Sequence, residues 1–129
     1  MRSSVYAGVF YGMEITDWVQ SGEIFSIDDV TKGTLPDFNF NEVSLEYVYA
    51  ENIGYKIYLE AEDWSWCTED IDAREYGETI DGCGGFPDQE TLSKMNTNIE
   101  DARNKIALHY GVEISIDIYP EVIIKASFR

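Results

Sequence analysis

The sequence predicts an α+β fold: an antiparallel β-sheet of four to six strands with one long amphipathic helix packed on one face. Three patterns carry this expectation. Apolar and aromatic residues alternate at Val5, Ala7, Val9, Tyr11, Met13 and Ile15, the period of two that marks a strand with one buried face. Two further alternating runs flank a break at Glu51–Gly54. Leu92, Met95, Ile99, Ala102, Ile106 and Tyr110 then recur at spacings of three and four, which puts them on one stripe of a helix.

In the first strand, Gly8 and Gly12 fall on the face opposite the apolar one, where a missing side chain permits a bulge or the close approach of another backbone. Residues 16–41 are less patterned. Asp17–Gln20 suits a helical turn, Ile24–Ile27 a short strand, and Thr34–Asn41, around Pro36, a loop. Val43, Leu45, Tyr47 and Tyr49 alternate with Glu42, Ser44, Glu46 and Val48. After the break, Tyr55, Ile57, Leu59 and Ala61 alternate with Lys56, Tyr58, Glu60 and Glu62. The two runs read as a β-hairpin with acidic, tyrosine-bearing solvent faces.

An acidic segment follows and ends at Asp81-Gly82-Cys83-Gly84-Gly85, a surface-loop composition. Pro87 suits the first turn of the long helix, with Asp88 and Glu90 near its positive end. Gly111 is placed to cap its C-terminus. Val112, Ile114, Ile116 and Ile118 alternate with polar residues as a further strand, and Val122–Phe128 gives another, with Pro120 between them.

At 129 residues the whole chain, 1–129, is expected to be one acidic domain. The hydrophobic content of 44% supplies a core despite the net charge of −16. That charge is uneven: residues 1–41 hold six acids and two bases, 42–90 fourteen and two, and 91–129 five and five. A localised acidic surface of this kind repels nucleic acid, phosphorylated ligands and anionic membrane. No run of 18 apolar residues is present and Met1–Ser4 leads directly into the strand pattern. A cytoplasmic protein is therefore expected, in the host cytoplasm if the chain is viral.

Between Glu60 and Asp81, nine acids face one base, Arg74, with Trp64 and Trp66 among them. Residues two apart on a strand lie on one face about 7 Å from each other. Glu60 and Glu62, beside Glu42 and Glu46, would thus form a grid of carboxylates close enough to sum into one potential. Aromatic residues within such a surface fit a protein interface, where Trp and Tyr are enriched. The candidate partner-binding residues are Glu42, Glu46, Glu60, Glu62, Asp63, Trp64, Trp66, Glu69, Asp70, Asp72, Glu75, Tyr76, Glu78 and Asp81. A plainly solubilising charged face is the competing reading.

Other chemistries are less well supported. Paired carboxylates with aromatic rings serve glycoside hydrolysis, but so many acids single out no pair. Cys67, Cys83 and His109 lack the close ligand spacing of a zinc site. Asp70 and Asp72 lack the EF-hand glycine and ligand register. Glu69 and Asp70 beside Cys67 suppress its thiolate, and no nucleophile elbow offers His109 a triad. The Gly84-Gly85 loop has neither a Walker lysine nor a G-x-G-x-x-G pattern. No catalytic residue, metal or cofactor is expected.

The expectation is a non-catalytic acidic binding or inhibitor protein that blocks the basic nucleic-acid-binding surface of a partner, without binding nucleic acid or membrane itself. In charge, size and aromatic placement over about a third of the chain, the profile resembles phage DNA mimics that act against restriction or CRISPR nucleases. It is similar also to acidic immunity proteins that neutralise nuclease toxins. No residue motif carries either likeness. The alternatives are a protein-interaction or homo-oligomeric assembly module, such as a homodimer, and a small carboxylate-dependent hydrolase.

Overall fold

The computed structural model describes residues 5–68, 87–114 and 118–128, with side chains over 9–62, 87–114 and 118–123. It is an α+β fold with the element order β1 (Val5–Glu14), α1 (Thr16–Gln20), α2 (Ile27–Lys32), β2 (Val43–Ala50), β3 (Gly54–Thr68), α3 (Gln89–Tyr110) and β4 (Glu121–Phe128). The four strands form one antiparallel sheet in the order β2-β3-β1-β4. The strand count is the lower end of the expected four to six. α3 covers one face of this sheet, touching β3, β1 and β2.

The stripe on α3 does the covering. Met95, Ile99, Ala102 and Ile106 are buried, and Leu92 and Tyr110 pack at its ends. They meet Met13 and Ile15 of the β1 segment, Val43 of β2, and Ile57, Leu59 and Ala61 of β3. Fully burying an aliphatic side chain of this size contributes roughly 1.5–3 kcal/mol. A polar contact fixes the helix over β1: the Tyr11 hydroxyl donates to Asn96 Oδ1 at 2.5 Å. Both helix ends are capped. Asp88 accepts the Thr91 N–H at 2.7 Å, and Gly111 adopts the left-handed conformation at φ 66°. Pro87 therefore precedes the N-cap instead of entering the first turn.

The region 16–41 completes the core. α1 forms where a helical turn is expected and buries Trp18 and Val19. Thr16 ties it to the sheet, because the Ile57 N–H donates to Thr16 Oγ1 at 3.0 Å. The short strand expected at Ile24–Ile27 is absent. Ile24 and Phe25 are buried in the core, and Ser26 opens α2 with a reciprocal capping box. Asp29 N–H donates to Ser26 Oγ at 3.2 Å and Ser26 N–H to Asp29 Oδ2 at 3.0 Å.

Two further expectations are corrected. The second hairpin strand does not stop at Glu62 but runs on to Thr68, pairing Ser65, Trp66, Cys67 and Thr68 with Phe10, Val9, Gly8 and Ala7. No Gly, Pro or Asn lies between Ala61 and Thr68 to end it. The strand expected at Val112–Ile118 is not seen at 112–114 or 118–120, and 115–117 fall outside the described residues. Val112, Ile114 and Ile118 pack against the core, so their alternation marks one-sided burial.

β1 and β3 are joined across an irregularity. Phe10 pairs with Ser65 and Gly12 with Glu60, so residues 61–64 of β3 stand opposite Tyr11 alone. Gly12 makes this geometry possible. A Cβ there would lie 2.5 Å from the Leu59 carbonyl oxygen and 2.9 Å from Phe10 Cε2.

Gly12→Ala should destabilise the fold by about 1–3 kcal/mol, the usual range for overpacking a filled site, measured as a fall in the urea midpoint without loss of the β-sheet circular dichroism signal. The Thr91 N–H and hydroxyl hold the Asp88 carboxyl below its ordinary value of 3.8. Its stabilising effect is thus present above that value and is lost as pH falls through the folded-state pKa. Asp88→Ala should lower the melting temperature at pH 7, and the gap to wild type should shrink below about pH 4.

Candidate functional site

The face of the sheet opposite α3 carries the candidate surface. Strand register places its residues in rows. Glu46 on β2 stands opposite Tyr58 on β3, which stands opposite Glu14 on β1. In the next row Ser44 faces Glu60, Glu60 faces Gly12, and Gly12 faces Glu121 of β4. Directly opposed residues on one face are about 4.5–5.5 Å apart at Cβ. Glu14, Glu46, Glu60 and Glu121 therefore surround Tyr58 from all four strands. Lys56 shares the face, and its Nζ lies 3.6 Å from Glu14 Oε1.

An aromatic pair sits at the centre of this surface. Phe10 and Tyr58 are buried on this face, outside the α3-side core, with ring centroids 5.4 Å apart at 82°. The space that Gly12 leaves empty lets the Phe10 ring lie over the backbone and reach Tyr58. Burial raises the Tyr58 hydroxyl above its ordinary pKa of 10.0, and the charges of Glu14 and Glu121 raise it further. Both carboxylates are thus electrostatically coupled to this one side chain. Asp29 and Asp88 are pushed the other way, chiefly by the backbone N–H groups they cap.

The predicted grid is redistributed. Glu46 and Glu60 lie on this face. Glu42 does not join them: its backbone adopts φ 54° and its carboxylate turns toward α3, 3.0 Å from Lys94 Nζ. Glu62 is exposed, and its N–H donates to the Glu42 carbonyl at 2.9 Å. Asp63, Trp64 and Trp66 belong to the β3 backbone instead of a loop, and their side chains are outside the described set. Glu69, Asp70, Asp72, Glu75, Tyr76, Glu78 and Asp81 lie outside the described residues, as do Cys83 and the Gly84-Gly85 loop.

Glu14 and Glu121 were not among the sequence candidates. Glu14 shares the even-numbered face of β1 with Gly12, a signal present in the alternation. Glu121 reaches the surface only because β4 pairs with β1, which no local pattern announces.

His109 lies in the last turn of α3, exposed, with Phe38 edge-on at 5.3 Å and Tyr110 at 4.9 Å. It adjoins the aromatic loop Leu35–Phe40. That loop is held by Lys105 Nζ donating to the Asn39 carbonyl at 2.7 Å and by the stacked Phe38 and Phe40 rings. Among the described residues, no three His, Cys, Asp or Glu side chains converge to hold a metal ion, and no helix is long and apolar enough to cross a membrane. No protein-family model matches the chain, and no curated protein or solved structure is significantly similar to it.

Proposed function

We propose that this chain is a non-catalytic acidic binding protein that occupies a basic, nucleic-acid-binding surface of a partner protein. The observation that carries the reading is the convergence of Glu14, Glu46, Glu60 and Glu121 on one sheet face around Tyr58. Glu60 lies diagonally across the ladder from both Glu14 and Glu46, a separation of about 7–8 Å that is comparable to the spacing of successive phosphates on a nucleic-acid strand. With a Debye length of about 8 Å at physiological salt, such charges act as one potential. The net charge of −16 adds long-range steering toward a basic groove.

The arrangement suits docking better than a solvated coat. A surface whose only task is solubility gains nothing from a rigid base, whereas Phe10 and Tyr58 stiffen the sheet directly beneath the carboxylates. Rigid placement lowers the entropic cost of matching a fixed array of lysines and arginines.

The test is a triple amide variant, Glu46→Gln, Glu60→Gln and Glu121→Gln, compared with wild type as immobilised bait for a lysate of the source organism. A nucleic-acid enzyme should be retained by wild type, released by high salt, and inhibited in its nucleic-acid binding by the free protein. For the variant, association with that enzyme should slow about tenfold or more, the scale of electrostatic steering, with the melting temperature unchanged. Equal association rates for the two proteins would overturn the reading.

A further inference from the structure

Beyond the acidic face, β2 presents an open strand edge. It is the outermost strand of the sheet, and no described strand pairs with its far side. The ladder to β3 determines which groups point outward. Since the Glu62 N–H donates to the Glu42 carbonyl, the alternation of an antiparallel pair assigns the inward bonds to residues 42, 44, 46, 48 and 50. The N–H and C=O groups of Val43, Leu45, Tyr47 and Tyr49 then face the free edge.

The side chains of those same four residues lie on the α3 side and change character along the strand. Val43 and Leu45 line an open groove of about 350 Å³ whose other wall is the loop Leu35–Phe40, with Asp37 and Asn39 among its apolar side chains. That volume falls within the range of ligand-binding clefts, roughly 300–1,000 Å³. Tyr47 and Tyr49 continue this surface as an exposed aromatic shelf, 44% and 59% accessible, with Tyr55 packed against both at 5.9 and 4.8 Å. On the other side of the same strand stands Glu46, with Glu60 one strand further in.

We infer that the β2 edge receives an extended segment of the basic partner as a fifth strand, one whose side chains alternate between apolar and Lys or Arg. This rests on the acidic-binding reading above and specifies where and how the partner is held. Main-chain bonds to Leu45 and Tyr47 supply affinity, and alternate side chains supply selection. On the α3 side, the segment's apolar residues lie over the groove beside Leu45 and over the tyrosine shelf. On the opposite side, its Lys or Arg residues come beside Glu46. Charge selects this occupant over a second copy of the chain. Two β2 edges paired about a two-fold axis would bring Glu46 toward its own counterpart, and like charges across a strand pair are destabilising.

Blocked peptides of eight residues test the inference against the full-length protein. One alternates lysine and valine, one has the same composition in two blocks, and one is the alternating peptide N-methylated at every second amide. The alternating peptide should bind at least about tenfold more tightly than either control, the equivalent of one or two main-chain hydrogen bonds. Binding should also protect the Leu45 and Tyr47 amides from hydrogen exchange. Tyr47→Pro removes an outward N–H without touching the ladder to β3, a position where an edge strand tolerates proline. It should cost the alternating peptide a similar factor while the melting curve stays cooperative, and Tyr47→Phe should bind like wild type.

Equal binding of the alternating and block peptides would overturn the edge mechanism while leaving the acidic-binding reading in place. So would retention of the nucleic-acid enzyme by a Tyr47→Pro protein at wild-type affinity. Sedimentation showing a dimer that Tyr47→Pro dissociates would make a second copy the occupant and overturn the proposal. Loss of enzyme retention by wild type itself would instead sink the parent reading.

Discussion

The structure depends on a mismatch of widths. A single helix, about 10 Å across, has to cover a sheet whose outer strand axes are roughly 14 Å apart at the usual spacing of about 4.8 Å. α3 lies over β3 and reaches one strand to either side, β1 and β2. Beside the helix, the chain between β1 and β2 extends the cover with Phe25, Phe38 and Phe40. This cover ends near Leu45. Beyond it the α3-facing side chains of β2 are tyrosines, whose rings tolerate both an apolar neighbour and water. The tyrosine shelf is thus a direct result of covering four strands with one helix and a loop.

The opposite face follows different rules because no described helix covers it. Phe10 and Tyr58 bury each other there only because Gly12 has no side chain between them. The same glycine lets β1 approach Leu59 closely at the point where β3 carries its extra residues. One position therefore serves both the sheet's irregular register and the aromatic base beneath the carboxylates. The acidic surface and the backbone distortion are mechanically one feature.

What the sequence made legible was whatever repeats locally. The α3 stripe, the β2–β3 hairpin and the strand expected from Val5 to Ile15 all follow from side chains a few residues apart, and each formed, with β1 ending at Glu14 and β3 running past Glu62 to Thr68. α2 was legible as well, since Ser26 followed by Asp29 is a capping pattern, but Ile24 and Phe25 draw attention to strand propensity first. The grid of carboxylates was half legible. Glu46 and Glu60 sit on neighbouring strands of one hairpin. The recruitment of Glu14 and Glu121 requires the order β2-β3-β1-β4, which is decided by long-range pairing. Glu42 was misplaced because a positive φ at a non-glycine residue breaks the alternation on which the expectation stood, and Lys94 offers its carboxylate an ion pair on the other side.

The sheet order has a temporal side. β1 is made first, yet one of its two neighbours is β4, with Val5 paired to Phe128. At a synthesis rate of 5–20 residues per second, roughly 6–25 s separate the appearance of those two partners. During that interval the β2–β3 hairpin can close and receive β1 on one side, while the other side of β1 stays an open template for any passing strand. A nascent chain in that state is protected by its charge, because neighbouring copies on the same message carry the same acidic middle segment and repel one another. The acidity that the finished protein carries on its surface also keeps its unfinished copies apart.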